Sequence, residues 1–377
     1  MKKIILLSLG MFALGFDAYI IAGLIPGISD TYQKDISQVG QAVSIFTLFY
    51  AISAPVFSSV LAGKNIKKVL LYSMLLFTIA NGFTALAPTF SILLISRAIA
   101  GIGAGLFSPL AVSASTQFVA PEQKGRALGL TMGGMSVGTV LGVPAGLYIS
   151  ELFDWKMTMW ILVLIGLIAL IGMFILLPNI PTTAPPALHA RLKMFLDKRV
   201  TITVLITFFA SVASLGLYTY LSFLIEDLTV SGNLKLFLWA WGFGGLFGSL
   251  LIGYLIDYFN RPKRLVTIIL ITLTVSLLCI PFTIHIPYLK YIPFFLWGAL
   301  GWASLAPQQH ILLAYQPQNG SIAVALNSSV NYLGSSIGAT LCGVVLAIGF
   351  GSMSLVYFAL FSMIFSISLQ LYSVKKL

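Results

Sequence analysis

The chain has 377 residues, 59% of them hydrophobic and 8% charged, with a mean hydropathy of +1.01 and a formal net charge of +11. A soluble domain carries roughly 25% charged residues, so this chain cannot clothe a water-facing surface and reads as an all-α polytopic membrane protein. The basic excess falls in short loops between apolar runs, which speaks against a nucleic-acid surface. Cys279 and Cys342 both lie in apolar runs and paired metal-ligand spacings are missing, so neither a disulfide framework nor a metal site is expected, and no cofactor.

A spanning helix needs about 20 apolar residues. By that rule twelve spans run approximately over 4–28, 36–62, 69–88, 90–118, 127–150 and 157–178, then 199–225, 234–256, 265–283, 289–314, 321–349 and 353–373. The apolar run Ile4 to Ile28 exceeds the roughly 7–15 residues of a secretory signal core and contains Asp17, so it is read as an uncleaved first span. Spans rich in glycine and proline stay helical, because lipid offers the backbone no other partner. Lys34, Lys156, Lys235 and Lys290 fall on one side. Every other Lys and Arg, apart from the deep Arg97, falls on the side of the N-terminus. That bias makes the N-terminal side cytoplasmic, places both termini there and agrees with an even number of spans.

Residues 179–198 form the longest cytoplasmic loop, with Pro181, Pro185 and Pro186 followed by a basic run from His189 to Arg199. The expected organisation is a first six-helix bundle over 1–178, a linker over 179–198 and a second bundle over 199–377. The loop after the second span, with Leu61, Gly63, Ile66 and Lys67, superposes at an offset of 194 on the loop after the eighth, with Leu255, Asp257, Asn260 and Arg261. Such a repeat supports the division of the chain into two related halves.

Asp17, midway along the first span, and Arg97, in the fourth, are ionisable residues set deep in apolar runs. A charge at that depth costs at least about 2.5–3.5 kcal/mol, which makes each a functional candidate by default. Burial disfavours a charged carboxyl and a nearby cation favours it. A carboxyl balanced between the two can load and release a proton as its exposure changes. The bland alternative is a carboxyl bonded to a neighbouring helix that never titrates. Arg97 keeps its proton, so it must be paired or hydrated, either by Asp17 or by backbone carbonyls of the first span.

The fifth span carries Gly134, Gly138, Gly142 and Gly146, each four apart, with Pro144 among them. Small residues at that spacing let helices approach closely, and the proline adds a bend. Gly101, Gly103 and Gly105 extend the same device to the fourth span. The second half supplies neutral polar groups: Tyr218 and Tyr220 in the seventh span, Trp297, Trp302, Gln308, Gln309 and His310 in the tenth, and Asn327, Ser328, Asn331, Tyr332 and Ser335 in the eleventh. Rings with a few neutral donors suit flat or amphipathic solutes. The candidate substrate contacts are Tyr19, Tyr218, Trp297, Gln309, Asn331 and Tyr332. The alternative is interfacial anchoring for the rings and helix bridging for the glutamines. No phosphate-cradling Walker loop is present, so ATP-driven pumping is not expected.

The two repeated loops resemble the signature loop of the major facilitator superfamily, Gly-x-Leu-Ala-Asp-Arg-x-Gly-Arg-Lys. Ser96-Arg97 through Gly105 is similar to that family's fourth-span motif, Gly138 through Gly146 to its antiporter motif, and Asp154-Trp155-Lys156 to its Trp-Arg element. Within it the chain resembles the twelve-span drug:proton antiporters of multidrug resistance. Span ten from Trp297 to Gln309 and span seven from Leu217 to Tyr220 are similar to the branch of purine efflux pumps and arabinose-efflux-type permeases. The resemblance implies the major facilitator fold, with two pseudo-symmetric six-helix bundles in the cell membrane. It implies a monomer, not an enzyme, that works by alternating access and exports a small drug-like, nucleobase, nucleoside or sugar-like compound against protons. Asp17 and Arg97 would couple the proton, and Asp257 with Arg261 would latch helices. In the first half Gly63 stands in place of the latch aspartate. The alternatives are a proton-linked importer of a sugar or nucleoside on the same fold, and a membrane sensor or scaffold that transports nothing.

Overall fold

Short polar residues and prolines punctuate an otherwise apolar helical chain. The computed structural model describes residues 2–60, 64–120, 123–179, 193–228, 234–259 and 261–376. Gly63, Asn260 and residues 180–192 of the expected linker lie outside the described residues. Inter-residue contacts divide the chain into two compact units, Met1–Leu188 and His189–Leu377.

The first unit runs α1 (Lys2–Tyr32), α2 (Ile36–Val39), α3 (Gln41–Val60), α4 (Ile66–Leu86), α5 (Phe90–Gln117), α6 (Lys124–Val137), α7 (Val143–Leu152) and α8 (Trp155–Leu176). Asn65 caps α4 by accepting the Lys67 N–H at 2.9 Å, and Asp154 caps α8 by accepting the Met157 N–H at 2.8 Å. Such caps satisfy donors that a helix start leaves open. Beside that cap the Trp155 indole N–H donates to Thr31 Oγ1 at 2.8 Å, tying the end of α1 to the start of α8.

The second unit runs α9 (Lys198–Thr219), α10 (Leu221–Leu228), α11 (Leu234–Phe259), α12 (Pro262–Thr283), α13 (Ile292–Ala303), α14 (Leu305–Tyr315), α15 (Gly320–Ala347) and α16 (Met353–Lys376). Asp197 caps α9. Burial pushes its carboxyl up, but the backbone N–H and guanidinium of Arg199 and the Gln316 amide outweigh this and hold it below the usual carboxylate range.

The same packing order recurs in both units. In the first, α1 packs on α6, α3 on α5, and α4 on α8. In the second, α9 packs on α15, α11 on α13, and α12 on α16. This is the all-α fold expected from the sequence, with each half repeating one arrangement. Among the described residues, eleven helices are long and apolar enough to cross a membrane, with Lys124–Leu152, from α6 through α7, taken as one. Large apolar side chains on their outer faces are exposed, Leu250 by 75% and Phe174 by 67%, as a lipid solvent requires.

Three expected spans are interrupted. Span 289–314 is split into α13 and α14 at Ser304, because Pro307 has no N–H to offer the carbonyl four residues back and its ring crowds that carbonyl. Pro144 acts likewise in span 127–150, where Gly138–Gly142 adopt a π-helical turn between α6 and α7. Span 199–225 is interrupted at Tyr220, whose hydroxyl donates to the Ala339 carbonyl at 3.1 Å on α15.

The glycine run of the fifth span forms a seam with α1. A Cβ on Gly134 would strike the Ser8 carbonyl, one on Gly138 the Phe12 carbonyl, and those on Gly142 and Gly146 the Phe16 ring. Successive turns of α1 thus each meet a glycine. Gly133 has nothing within 4 Å of such an atom. Gly138→Ala is therefore expected to destabilise by about 1–3 kcal/mol, the usual cost of overpacking against rigid neighbours. Gly133→Ala is expected to be neutral or stabilising by about 0.5–1 kcal/mol, through helix propensity. Thermal melting of both variants in detergent distinguishes them, and equal melting points would mean the seam is not tightly packed.

Candidate functional site

Three helices of the first unit each bring one polar side chain to a common point: α1 supplies Asp17, α4 Asn81 and α5 Arg97. None is more than 1% exposed. Arg97 Nη1 donates to Asp17 Oδ1 at 2.7 Å and to Asn81 Oδ1 at 3.0 Å, while Asn81 Nδ2 donates to Asp17 Oδ2 at 3.3 Å and to the Phe77 carbonyl at 3.0 Å. The three side chains close a ring of hydrogen bonds. Asn81 was not among the expected site residues.

A buried ion pair holds only when geometry and further hydrogen bonds offset the cost of desolvation. Here Asn81 supplies part of that offset. Phe46 on α3 supplies another, its ring centre 4.4 Å from the guanidinium carbon, within reach of a cation–π attraction. Gly101, one turn after Arg97, allows this, since a Cβ there would strike the Phe46 carbonyl. Gly105 and Gly103 continue the close approach of α5 to Tyr50 on α3 and to Ser73 and Phe77 on α4. The Arg97 Nε–H is buried with no hydrogen-bond partner.

The α1 seam fixes Asp17 from its other side. Phe16, the preceding residue, fills the space left by Gly142 and Gly146, and Thr139 Oγ1 donates to the Gly15 carbonyl at 3.3 Å from the π-helical turn. Gly138 and Pro144 shape that turn. The arrangement can hold one carboxylate away from bulk water, with Oδ1 tightly bound and Oδ2 loosely bound. Oδ2 is the atom at which a proton displaces least.

The second unit carries neutral groups. Trp297 is fully buried, and its indole N–H donates to Ser214 Oγ at 2.7 Å. Tyr218 leans on Trp241 at 4.3 Å between ring centres, and both lie 6.4 Å from Trp297. Ser211 Oγ donates to Asn331 Oδ1 at 2.6 Å, and Thr207 Oγ1 donates to Gln308 Oε1. Gln308 Nε2 and both polar atoms of the fully buried Asn327 have no hydrogen-bond partner. Of the two glutamines it is Gln308 that bridges helices, as Asn331 does through Ser211, whereas Gln309 is half-buried; Asn331, Tyr332 and, in the first unit, Tyr19 are half-buried too. Asp257 and Arg261 are both exposed, and among the described residues neither makes a salt bridge.

A family model described as Major Facilitator Superfamily matches residues 7–339. The chain is similar to the uncharacterized MFS-type transporter YbcL of Bacillus subtilis (strain 168), 28% identical over 91% of this chain and 88% of that protein. It is also similar to the inner membrane transport protein YdhP of Escherichia coli (strain K12), 25% identical over 92% of this chain and 89% of that protein. A probable sugar efflux transporter of Helicobacter acinonychis (strain Sheeba) is 25% identical over 92% of this chain and 88% of its own length.

Proposed function

The chain belongs to the Major Facilitator Superfamily as a multi-pass membrane transporter of a small molecule, and from that premise we propose that it exports its substrate across the cell membrane in exchange for protons. The observation that carries the coupling is the buried Asp17–Arg97 contact at 2.7 Å, closed by Asn81. A carboxylate at that depth with one loosely held oxygen can take a proton from one face and, after a change of access, yield it to the other. Protonation removes the charge that holds Arg97 and puts a hydrogen on the oxygen that accepts from Asn81. This gives the proton a lever on three helices at once.

Export rather than import is favoured by the Gly138–Gly146 element, similar to the antiporter motif, and by efflux in the name of the Helicobacter relative. The second unit supplies the recognition groups: rings at Tyr218 and Trp297, amides at Gln308, Gln309, Asn327 and Asn331, and Tyr332. In the first unit Tyr19 is the candidate contact. These suit a largely neutral compound with a flat or amphipathic body, drug-like, nucleobase, nucleoside or sugar-like. The working form is a monomer with both termini cytoplasmic, and Asp257 and Arg261 take part in its gating.

The test is accumulation in proteoliposomes under an imposed pH gradient, against a panel of drugs, nucleobases, nucleosides and sugars. Exchange predicts that substrate moves opposite to the proton and stops when a protonophore is added. Movement with the proton would assign an importer. Movement indifferent to the gradient would overturn the coupling. Failure of every compound, with protein correctly inserted, would favour a sensor or scaffold.

A further inference from the structure

At the basic end of the second unit a cavity of about 410 Å³ opens among Arg261, Lys263 and Arg264 at the start of α12, His310 and Tyr315 of α14 and Val374 of α16. The proposed proton cycle does not use it. Lys263 Nζ lies 5.4 Å from the centre of the Tyr315 ring and the Arg199 guanidinium, from α9, 5.1 Å from it. The Tyr315 hydroxyl oxygen is buried with no hydrogen-bond partner. Among the described residues the only salt bridges are those of Arg97 with Asp17 and Arg199 with Asp197, so Arg261, Lys263 and Arg264 have no carboxylate. Of the acids at this end, Asp197 is already engaged by Arg199 and by Gln316 at 2.8 Å, and Asp257, near the end of α11, is exposed and makes no salt bridge among the described residues, while Lys263 Nζ reaches only the Ser373 carbonyl at 3.5 Å.

The inward bias of basic residues explains why such side chains occur in this loop. It does not explain their convergence on one cavity beside an unspent hydroxyl. Gathered cations repel, and an anion seated among them removes that repulsion. Arginine forks and a hydroxyl match the tetrahedral oxygens of phosphate.

We propose that this cavity is a binding site for a phosphate-bearing anion. An anionic phospholipid headgroup fits its position at the membrane end. The apolar wall of Ile311, Ala314 and Val374 would take the start of an acyl chain. Inorganic phosphate would engage the same cations without that wall.

The experiment is native mass spectrometry of the full-length protein in neutral detergent, titrated with phosphatidylglycerol, with phosphatidylcholine or with inorganic phosphate. Phosphatidylglycerol is expected to bind in preference to phosphatidylcholine. Arg261→Gln with Arg264→Gln should weaken it about thirtyfold, at about 1 kcal/mol per basic residue. Tyr315→Phe, which removes only the hydroxyl, should weaken it roughly tenfold, as for a hydrogen bond to a charged group. Lys235→Gln with Lys290→Gln, at the start of α11 and in the turn before α13, should leave it unchanged. Competition by inorganic phosphate at millimolar concentration would identify the free anion as the occupant, whereas indifference to phosphate identifies the lipid. The proposal is overturned if neither ligand binds, if the arginine variant binds as the parent does, or if the lysine control loses as much.

Discussion

Asp17→Asn is expected to abolish proton-driven accumulation while leaving substrate exchange across the membrane intact. Asparagine keeps the size of the side chain and can still accept from Arg97 and meet Asn81, so the ring of contacts seen at 2.7, 3.0 and 3.3 Å keeps its shape. What is lost is the proton. With the membrane potential clamped at zero, one unit of pH gradient can drive at most about tenfold accumulation for each proton exchanged, from about 1.36 kcal/mol per unit. The parent should approach that ratio and the variant should stay at equilibration. Substrate efflux into substrate-free and substrate-containing buffer, measured on the same vesicles, reports whether binding and access change survive. Accumulation at the parental level in Asp17→Asn would sink the coupling role. Loss of exchange as well would show that the charge is needed for access itself.

Much of this arrangement is legible in the sequence, for unequal physical reasons. Asp17 and Arg97 stand out because charge in lipid is costly, so a composition rule alone isolates them. The four-residue glycine period of the fifth span is equally visible, since small residues recurring on one face mark a close helix contact. Its partner is not visible. That Ser8, Phe12 and Phe16 of α1 meet those glycines depends on the rotation of α1, which an apolar run with no polar face does not encode. Asn81 escapes for a related reason. A single amide hardly changes the hydropathy of its span, and its role follows only once α4 is turned to face both α1 and α5. Phe46 looks like any core ring until Gly101 brings its helix under Arg97. The interruption at Ser304 had a signal in Pro307, but the apolar run across it reads as continuous. In the second unit Trp297 and Asn331 are conspicuous by type, whereas their partners Ser214 and Ser211 are small and common.

The Asp17–Arg97 pair is also expected to separate stability from transport through an asymmetry between its two halves. Removing one member of a buried pair costs about 3–5 kcal/mol, because the survivor keeps a buried charge. A carboxyl has an escape, since it can take up a proton and become neutral. A guanidinium has none. Arg97→Gln leaves Asp17, which can neutralise itself and still meet Asn81. Asp17→Asn leaves Arg97 charged, supported by Asn81 Oδ1 and the Phe46 ring at 4.4 Å. Asp17→Asn should therefore lower the melting temperature more than Arg97→Gln does. The double variant should melt close to the parent, because two neutral amides carry no charge to desolvate, yet it should accumulate nothing under a pH gradient. Melting of the four proteins in one detergent gives a double-mutant cycle whose coupling energy measures the pair directly. Additive losses would mean that Asp17 and Arg97 do not depend on each other in the folded protein. A double variant that recovers stability together with proton-driven accumulation would mean that the pair only holds helices together and the proton travels elsewhere.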